Sequence, residues 1–396
     1  MPLNTSLSPV TLERIQEALR REKLDGWLFF DHHQRDALAY RVLGFQPASH
    51  VTRRWYYMIP ANGEPIGMVH RIESGMLNAL PGEKIKYSSW SEQQGTLGTI
   101  LKGCKRIAMQ YSPLCAVPYV AMVDAGTIEL VRSNGVEVVT SAELICEFEA
   151  CLSDAQFESH MEAGRRVDVV RAGAFDFIAA KLATGVDEVA VADWVRAEFA
   201  KAGLYTDHGP IVGVNGHAGD PHYEPVPETS SPIRPGDLVL LDMWAKLDQP
   251  GACYYDITWT GFVGNAPEHI HRTFEIVSGA RDAAIAAVKS AVSAGRPICG
   301  YEVDDACRNH IRAAGEVEYF VHRTGHSIGE EVHGTGANMD NLETHDERRI
   351  LPGSLFSVEP GLYYKDYGVR SEIDMFISAT EAIVTGQMQT ELFKIG

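Results

Sequence analysis

Apolar and polar positions along the first part of the chain switch repeatedly between a helical and a strand period. Leu12–Arg21 carries helical spacing, DGWLFF (25–30) reads as a buried strand, and RDALAYRVLG (35–44) predicts a second helix. WYYMIPANGEPIGMVH (55–70) predicts two strands around an Asn-Gly turn. RIAMQ (106–110) and GTIELVR (126–132) are expected as further short strands, and SAELICEFEACL (141–152) as a closing helix. From Ser153 the helices lengthen. Val167, Val170, Ala174, Ile178 and Leu182 form an apolar stripe, and Val191, Val195 and Phe199 mark a second helix ended by Gly203. Strands LVLLDMWAKL (238–247) and CYYDITWTGFVG (253–264) follow, joined through Asp248–Gly251. The order then returns: helices over Ile270–Val292 and Glu302–Ala314, then strand-like segments carrying His326, Glu359 and Glu372. Two helices followed by strands, twice over, predict an internal duplication with a site between the halves. The expected fold class is α+β, with an α/β domain over residues 1–152 and a second domain over 153–396.

Five positions interrupt the apolar runs of the second domain: Asp242, Asp256, His326, Glu359 and Glu372. A charge inside an apolar strand is costly unless something pairs with it. Four carboxylates and one imidazole make a hard-ligand cage for two divalent cations, with manganese, zinc or cobalt suited to it and iron also compatible. Two such cations are a device for activating water and clamping a tetrahedral intermediate, so the chain reads as a hydrolase. Asp242 and Asp256 lie on strands that a turn could fold into a hairpin presenting both carboxylates on one face. Gly325 and Gly329 flank His326 and allow close backbone approach. Pro360-Gly361 after Glu359 marks a turn that aims its carboxylate. Strand alternation would put Arg370, Glu372 and Asp374 on one face, where Arg370 would anchor a substrate carboxylate or orient a ligand.

The bulk numbers narrow the partners. At 396 residues, with 45% hydrophobic and 22% charged residues, this is ordinary globular composition. A net charge of −18 argues against nucleic acid and against an anionic membrane surface. No cationic segment followed by an apolar one opens the chain, and no long apolar run occurs. Seven cysteines without a CxxC suit reduced thiols in a cytoplasm.

The order Asp, Asp, His, Glu, Glu resembles that of the pita-bread metallopeptidases, within them the Xaa-Pro dipeptidase (prolidase) and aminopeptidase P branch. The resemblance covers the whole chain and implies a creatinase-like N-terminal domain followed by a pita-bread domain of duplicated ααββ halves. It implies that Asp242 holds one metal, His326 and Glu359 the other, and that Asp256 and Glu372 bridge both. PIVGVNGHAGDPHYEP (210–225) resembles a family loop whose histidine falls on His222 rather than His217. By that resemblance His222 and His333 contact substrate and stabilise the tetrahedral intermediate, and Tyr363 and Arg370 bind substrate. A bridging hydroxide would attack the bond preceding proline in dipeptides or short peptides, with Glu359 shuttling the proton. A homodimer is implied as well. The sequence departs from the family pattern in places. The two aspartates stand further apart than usual, so the hairpin carries an insertion. Met243-Trp244 replaces a small-residue turn, and Ile373 replaces an acidic residue.

Three other readings compete. A metal-dependent hydrolase or lyase of a small zwitterion would use the same fold, and a silent binding module would have no need of five ligands. Gly325-His326-Ser327-Ile328-Gly329 also fits G-x-S-x-G, the nucleophile elbow of a serine hydrolase, with Ser327 as nucleophile. That elbow requires a helix after it, and EEVHGTGANMDN is too glycine-rich to supply one.

Overall fold

The computed structural model describes residues 7–45 and 50–396, so the first six residues of the leading segment lie outside the described residues. Contacts divide the chain into two units, Met1–Glu149 and Ala150–Gly396, and each is described by itself.

In the first unit, six strands run in the order β4-β3-β2-β1-β5-β6. They are β1 (Gly26–Asp31), β2 (Trp55–Pro60), β3 (Ile66–His70), β4 (Glu83–Tyr87), β5 (Arg106–Met109) and β6 (Glu137–Thr140). β1, β2 and β3 are antiparallel neighbours, while β5 and β6 run parallel to β1. Helices α1 (Pro9–Arg21) and α2 (Ala37–Leu43) cover the face carrying Trp27, Phe29, Trp55 and Tyr57. Helices α3 (Trp90–Ile100) and α4 (Ala125–Arg132) cover the opposite face, with Leu28, Phe30, Tyr56 and Met58. Burial on both faces is why β1 and β2 read as continuous apolar runs. α5 (Ala142–Ile145) runs on as a π-helical turn over Cys146–Ala150, so the expected closing helix is present with its second half widened.

One expected strand is a helix. GTIELVR belongs to α4, because the Asp124 carboxylate accepts the Thr127 amide at 2.9 Å and caps it. Ile128 and Val131 then fall one turn apart on its buried face. Strands β4 and β6 went unread because EKIKY and EVVT bury only one residue each.

The second unit opens with α6 (Asp154–Lys181) and α7 (Glu188–Lys201), followed by β7 (Leu204–Tyr205), β8 (Ile211–Val214), β9 (Leu238–Leu247) and β10 (Tyr255–Val263). The order repeats with α8 (Glu268–Ser293) and α9 (Gly300–Ala314). Then come β11 (Leu355–Val358), β12 (Gly361–Tyr363), β13 (Gly368–Arg370), β14 (Ile373–Ile377) and β15 (Ala382–Thr385), and β16 (Phe393–Ile395) returns to pair with β10. Leu241, Met243 and Ile257, from one face of the β9–β10 hairpin, pack on α6 and α7. Leu238, Leu240 and Phe262, from the other face, pack with α8, α9 and β11–β14. Each such side chain fully buried is worth about 1.5–3 kcal/mol, which fixes the hairpin between two helical layers.

The halves are stitched across β10. The Glu372 amide donates to the Thr258 carbonyl at 3.1 Å, and the Asp256 amide donates to Asp374 Oδ2 at 2.9 Å. A third tie is His160 of α6. Its Nδ1 bonds the Tyr254 carbonyl at 2.7 Å, and its Nε2 meets the Thr385 hydroxyl at 2.8 Å. The carbonyl can only accept, so Nδ1 carries the proton and Nε2 accepts.

Burial pushes His160 down to about 4, so the folded chain keeps it neutral. The unfolded chain takes up that proton near the ordinary value of about 6.5. Between the two values the unfolded state binds more protons. This contribution to stability is therefore complete above about pH 6.5 and is lost as pH falls towards 4. At pH 5 the loss is about 2 kcal/mol. His160→Gln removes the titrating group, so urea midpoints of the wild type should fall further than the variant's between pH 7 and pH 5. Equal falls would show that His160 does not set this slope.

Candidate metal centre

The β9–β10 register explains how one face acquires two carboxylates. Asp242 pairs with Thr258 and Asp256 with Trp244, so the two aspartates stand diagonally on one face rather than directly opposed. His326, Glu359 and Glu372 do not lie inside strands, as their apolar surroundings led one to expect. His326 sits between two isolated bridges, Gly325 to Met339 and Ser327 to Phe356. Glu359 follows β11, and Glu372 occupies the break between β13 and β14. Strand ends free the backbone to turn these side chains inward. Gly325 is required where it stands, because a Cβ there would lie 2.0 Å from the Ser357 carbonyl oxygen.

Ligand atoms of Asp256, His326 and Glu372 lie within 4.8 Å of one another, and all three residues are buried. Glu359 joins them through His326, whose Nε2 is 3.5 Å from Glu359 Oε1 and 3.6 Å from Asp256 Oδ2. The other ring nitrogen, Nδ1, bonds the Ser327 carbonyl at 3.1 Å. That bond leaves the lone pair of Nε2 facing the carboxylates, the tautomer a metal ligand needs. Asp242 is held differently, paired with the Arg370 guanidinium. Arg370 also donates to Thr258 Oγ1 at 3.0 Å and to the Tyr363 hydroxyl at 3.1 Å, so all three of its nitrogens are engaged inside the protein. Thr258 Oγ1 passes the contact on, donating to Glu372 Oε2 at 2.7 Å.

The electrostatics are those of a site built around positive charge. Burial, and then the neighbouring Asp242 and Glu359, push Asp256 far above the carboxylate range. Burial together with Asp256 and Glu359 does the same to Glu372. Burial also raises Glu359 and Asp242, the latter against the pull of Arg370. His326 is lowered by burial, so it stays a neutral donor. Asp256 Oδ1 is buried with no hydrogen-bond partner among the described residues. An orphaned carboxylate oxygen among crowded carboxylates and a neutral imidazole fits a divalent cation.

The other expected residues take distinct places. His333 is packed edge-on against His326, with ring centroids 4.3 Å apart, and the neighbouring His326 and burial lower it to about 3. His222 is exposed, and its amide donates to Asp220 Oδ1 at 3.1 Å. The other histidine of that loop, His217, is bound at 2.9 Å by Glu188, a fully buried carboxylate. Glu188 also accepts the amides of Val214 and Ser231 and the Tyr223 hydroxyl, each at 2.7 Å, and so pins both ends of the segment carrying His222. Ser327 does not sit on a nucleophile elbow. Its Oγ accepts the Gly336 amide at 3.1 Å, and no helix follows it among the described residues.

The model of metallopeptidase family M24 matches residues 158–379, more than half of the chain. The chain belongs to metallopeptidase family M24. A probable dipeptidase PepE of Mycobacterium tuberculosis is 26% identical over 348 residues, spanning 85% of this chain and 84% of that protein. An Xaa-Pro dipeptidase of Lactobacillus helveticus is 30% identical over 213 residues, 53% of this chain and 52% of that one. The crystal structure of dipeptidase PepE from Mycobacterium ulcerans aligns with a TM-score of 0.71 at 23% identity, covering 100% of this chain and 99% of that one. The fold is thus the pita-bread arrangement, and this M24 enzyme is a hydrolase with a divalent metal cofactor. Among the described residues, no helix is long and apolar enough to cross a membrane.

Thr258, bonded to Glu372 and Arg370, and His322, bonded to Tyr363, adjoin the candidate site and were not singled out in the sequence. Thr258 was legible as the second of three polar positions, 256, 258 and 260, alternating along an otherwise apolar strand. His322, four residues before His326, meets the Tyr363 hydroxyl at 2.7 Å. Burial and the nearby Arg370 lower it to about 3.

Thr258→Val keeps the side chain's shape but leaves Arg370 Nε and Glu372 Oε2 without their shared partner. Metal affinity, measured by calorimetric titration of Mn²⁺, should fall about 10- to 100-fold, the usual cost of losing a group that orients a ligand. Unchanged affinity would show that Thr258 does not support Glu372.

Proposed function

We propose that this M24 metallopeptidase hydrolyses the peptide bond preceding proline in dipeptides or short peptides, using two divalent cations. The observation that carries the metal part is the buried group of Asp256, His326 and Glu372, extended by Glu359 and left short of positive charge. The proline preference is supported by the Lactobacillus relative, named an Xaa-Pro dipeptidase. In this reading Asp242, Asp256, His326, Glu359 and Glu372 would hold the two cations between them. Manganese, zinc, cobalt and iron all suit these donors. When bound there, such cations make water a nucleophile at neutral pH and draw charge off the scissile carbonyl.

The chain's own residues supply the rest. Glu359 stands 3.5 Å from His326 and is half-buried at the edge of the cluster, a place from which its carboxylate would pass a proton to the leaving proline nitrogen. His333 is neutral at working pH, so it offers a ring N–H to a developing oxyanion without adding a full charge, and His222 adds a second contact to substrate. Arg370 keeps Asp242 and the Tyr363 hydroxyl in place at the substrate side. The reading extends to a cytoplasmic homodimer, with seven cysteines and no CxxC consistent with a reducing compartment.

Proline release from a panel of Xaa-Pro dipeptides and Xaa-Pro tripeptides, with added Mn²⁺ or Zn²⁺ and again after chelation, tests the substrate. Metal-dependent release from dipeptides is the expected outcome, and release from tripeptides alone would shift the assignment to an aminopeptidase. Bound metal without cleavage of any peptide would overturn the peptide reading in favour of a small zwitterionic substrate. His333→Ala should retain metal but lower kcat by roughly 10²-fold, as loss of one oxyanion donor does. An unchanged rate would remove His333 from the chemistry.

A further inference from the structure

The β9–β10 hairpin runs past its two aspartates to Lys246 and Tyr254, one step beyond the last strand pair, Tyr255 with Ala245. These two residues meet a segment of the other half, residues 328–334, which lies outside the helices and strands of the described residues. The Tyr254 amide donates to the Gly329 carbonyl at 2.9 Å. The Tyr254 ring packs with Ile328 and Val332, on either side of Glu330 in the chain. The Lys246 ammonium donates to the Glu330 carbonyl and lies 4.7 Å from the centre of the Tyr254 ring. Gln156 of α6 adds a third tie, its Nε2 donating to Glu330 Oε1 at 3.3 Å.

His333 lies in this segment, three residues after Glu330. Its ring packs edge-on against His326, with centroids 4.3 Å apart, and no hydrogen bond steers it among the described residues. The aim of the imidazole is therefore set by its backbone. On the far side that backbone is fixed by the Gly334 amide, which donates to the Ser327 carbonyl at 2.6 Å. On the near side it is fixed at Glu330, where an ammonium makes a charge-assisted bond and finds the face of an aromatic ring. No carboxylate pairs with Lys246 among the described residues, so the cation is committed to the Glu330 backbone and not to its side chain.

We propose that Lys246 is a positioning residue for His333, clasping the segment that carries it from the end of the β9–β10 hairpin. This deepens the reading of His333 as an oxyanion donor and rests on it. The ammonium acts through the backbone and not on the substrate. Released from Lys246, the segment would let the ring drift from the oxygen it must meet. Misplacement by about 1 Å can cost roughly 10²-fold in rate. The clasp also ties the segment to the strand that carries Asp242, four residues before Lys246. One hairpin thus places Asp242, Asp256 and, through Glu330, the imidazole.

Lys246→Met keeps the stem and removes the ammonium. On the metal-loaded enzyme with Ala-Pro, its kcat should fall about tenfold, with KM and Mn²⁺ affinity within about twofold of the wild type. Lys246→Arg, which keeps a cation for the carbonyl and the ring, should restore most of the rate. In the His333→Ala background, Lys246→Met should alter kcat by less than about twofold, since the group it positions is gone. An equal fall in both backgrounds, or no fall in either, would overturn the proposal. Deuterium uptake of the metal-loaded protein gives a readout free of substrate. Amides of residues 328–334 should exchange faster in Lys246→Met, with α8 unchanged. Unchanged uptake would overturn the clasp as well. If Ala-Pro is not cleaved, or His333→Ala is silent, the reading of the reaction fails alone, and uptake still decides whether Lys246 holds the segment.

Discussion

Four carboxylates gathered out of water in one pocket impose the dominant constraint on the second unit. Asp242, Asp256, Glu359 and Glu372 are drawn together by packing that buries Leu241, Met243 and Ile257 on one side and Val358 and Ile373 on the other. Like charges at such range cannot all ionise in a low dielectric without compensation. The protein offers one cation of its own inside the cluster, Arg370, and commits it to Asp242. What remains among the described residues, with one aspartate oxygen unpaired, is a demand for positive charge that a bound divalent cation would meet.

The surrounding structure answers the same constraint by holding the ligands still. Thr258 ties Glu372 to Arg370, Asp374 accepts the Asp256 amide, and Ser357 donates its hydroxyl towards Glu359 at 3.3 Å. The segment leading to His326 is fastened by Asp304. That carboxylate pairs with Arg308 at 2.9 Å and takes the Thr324 hydroxyl at 2.7 Å. Buried polar networks of this kind are useful only when their members are satisfied. Two of the exceptions, Asp256 Oδ1 and Asp374 Oδ1, fall in and directly behind the cluster.

The ligand cluster was legible because charge in an apolar run is a strong signal, and Asp256 in YYDITWT or Glu359 in FSVEPG has few uses other than a site. The duplicated order of helices and strands was legible from spacing. GTIELVR was misread because one capping carboxylate, Asp124, outweighs a β-branched composition. Glu188 escaped notice for another reason. It acts through partners distant in sequence, on a loop up to 43 residues away. No local pattern announces such pairings. Arg370 shows the same limit, since the sequence left it either an anchor for substrate or an orienting group. In the structure it makes three bonds inside the protein, to Thr258, Tyr363 and Asp242, which suit the orienting role.

The position of the cluster also links binding to folding. Asp242 and Asp256 come from the first half of the unit, while His326, Glu359 and Glu372 come from the second. Two of the contacts that join the halves, Glu372 to the Thr258 backbone and Asp256 to Asp374, are made by the candidate ligands themselves. A cation that meets the charge demand therefore also relieves the repulsion that pushes the halves apart at their seam. Because the unfolded chain scatters these five residues over 131 positions, from 242 to 372, it has no comparable site, and binding free energy becomes stability. A metal held there would be a structural element of the native state as much as a reagent. Substitutions that loosen the seam, even far from substrate, act on affinity for the cation before they act on the reaction.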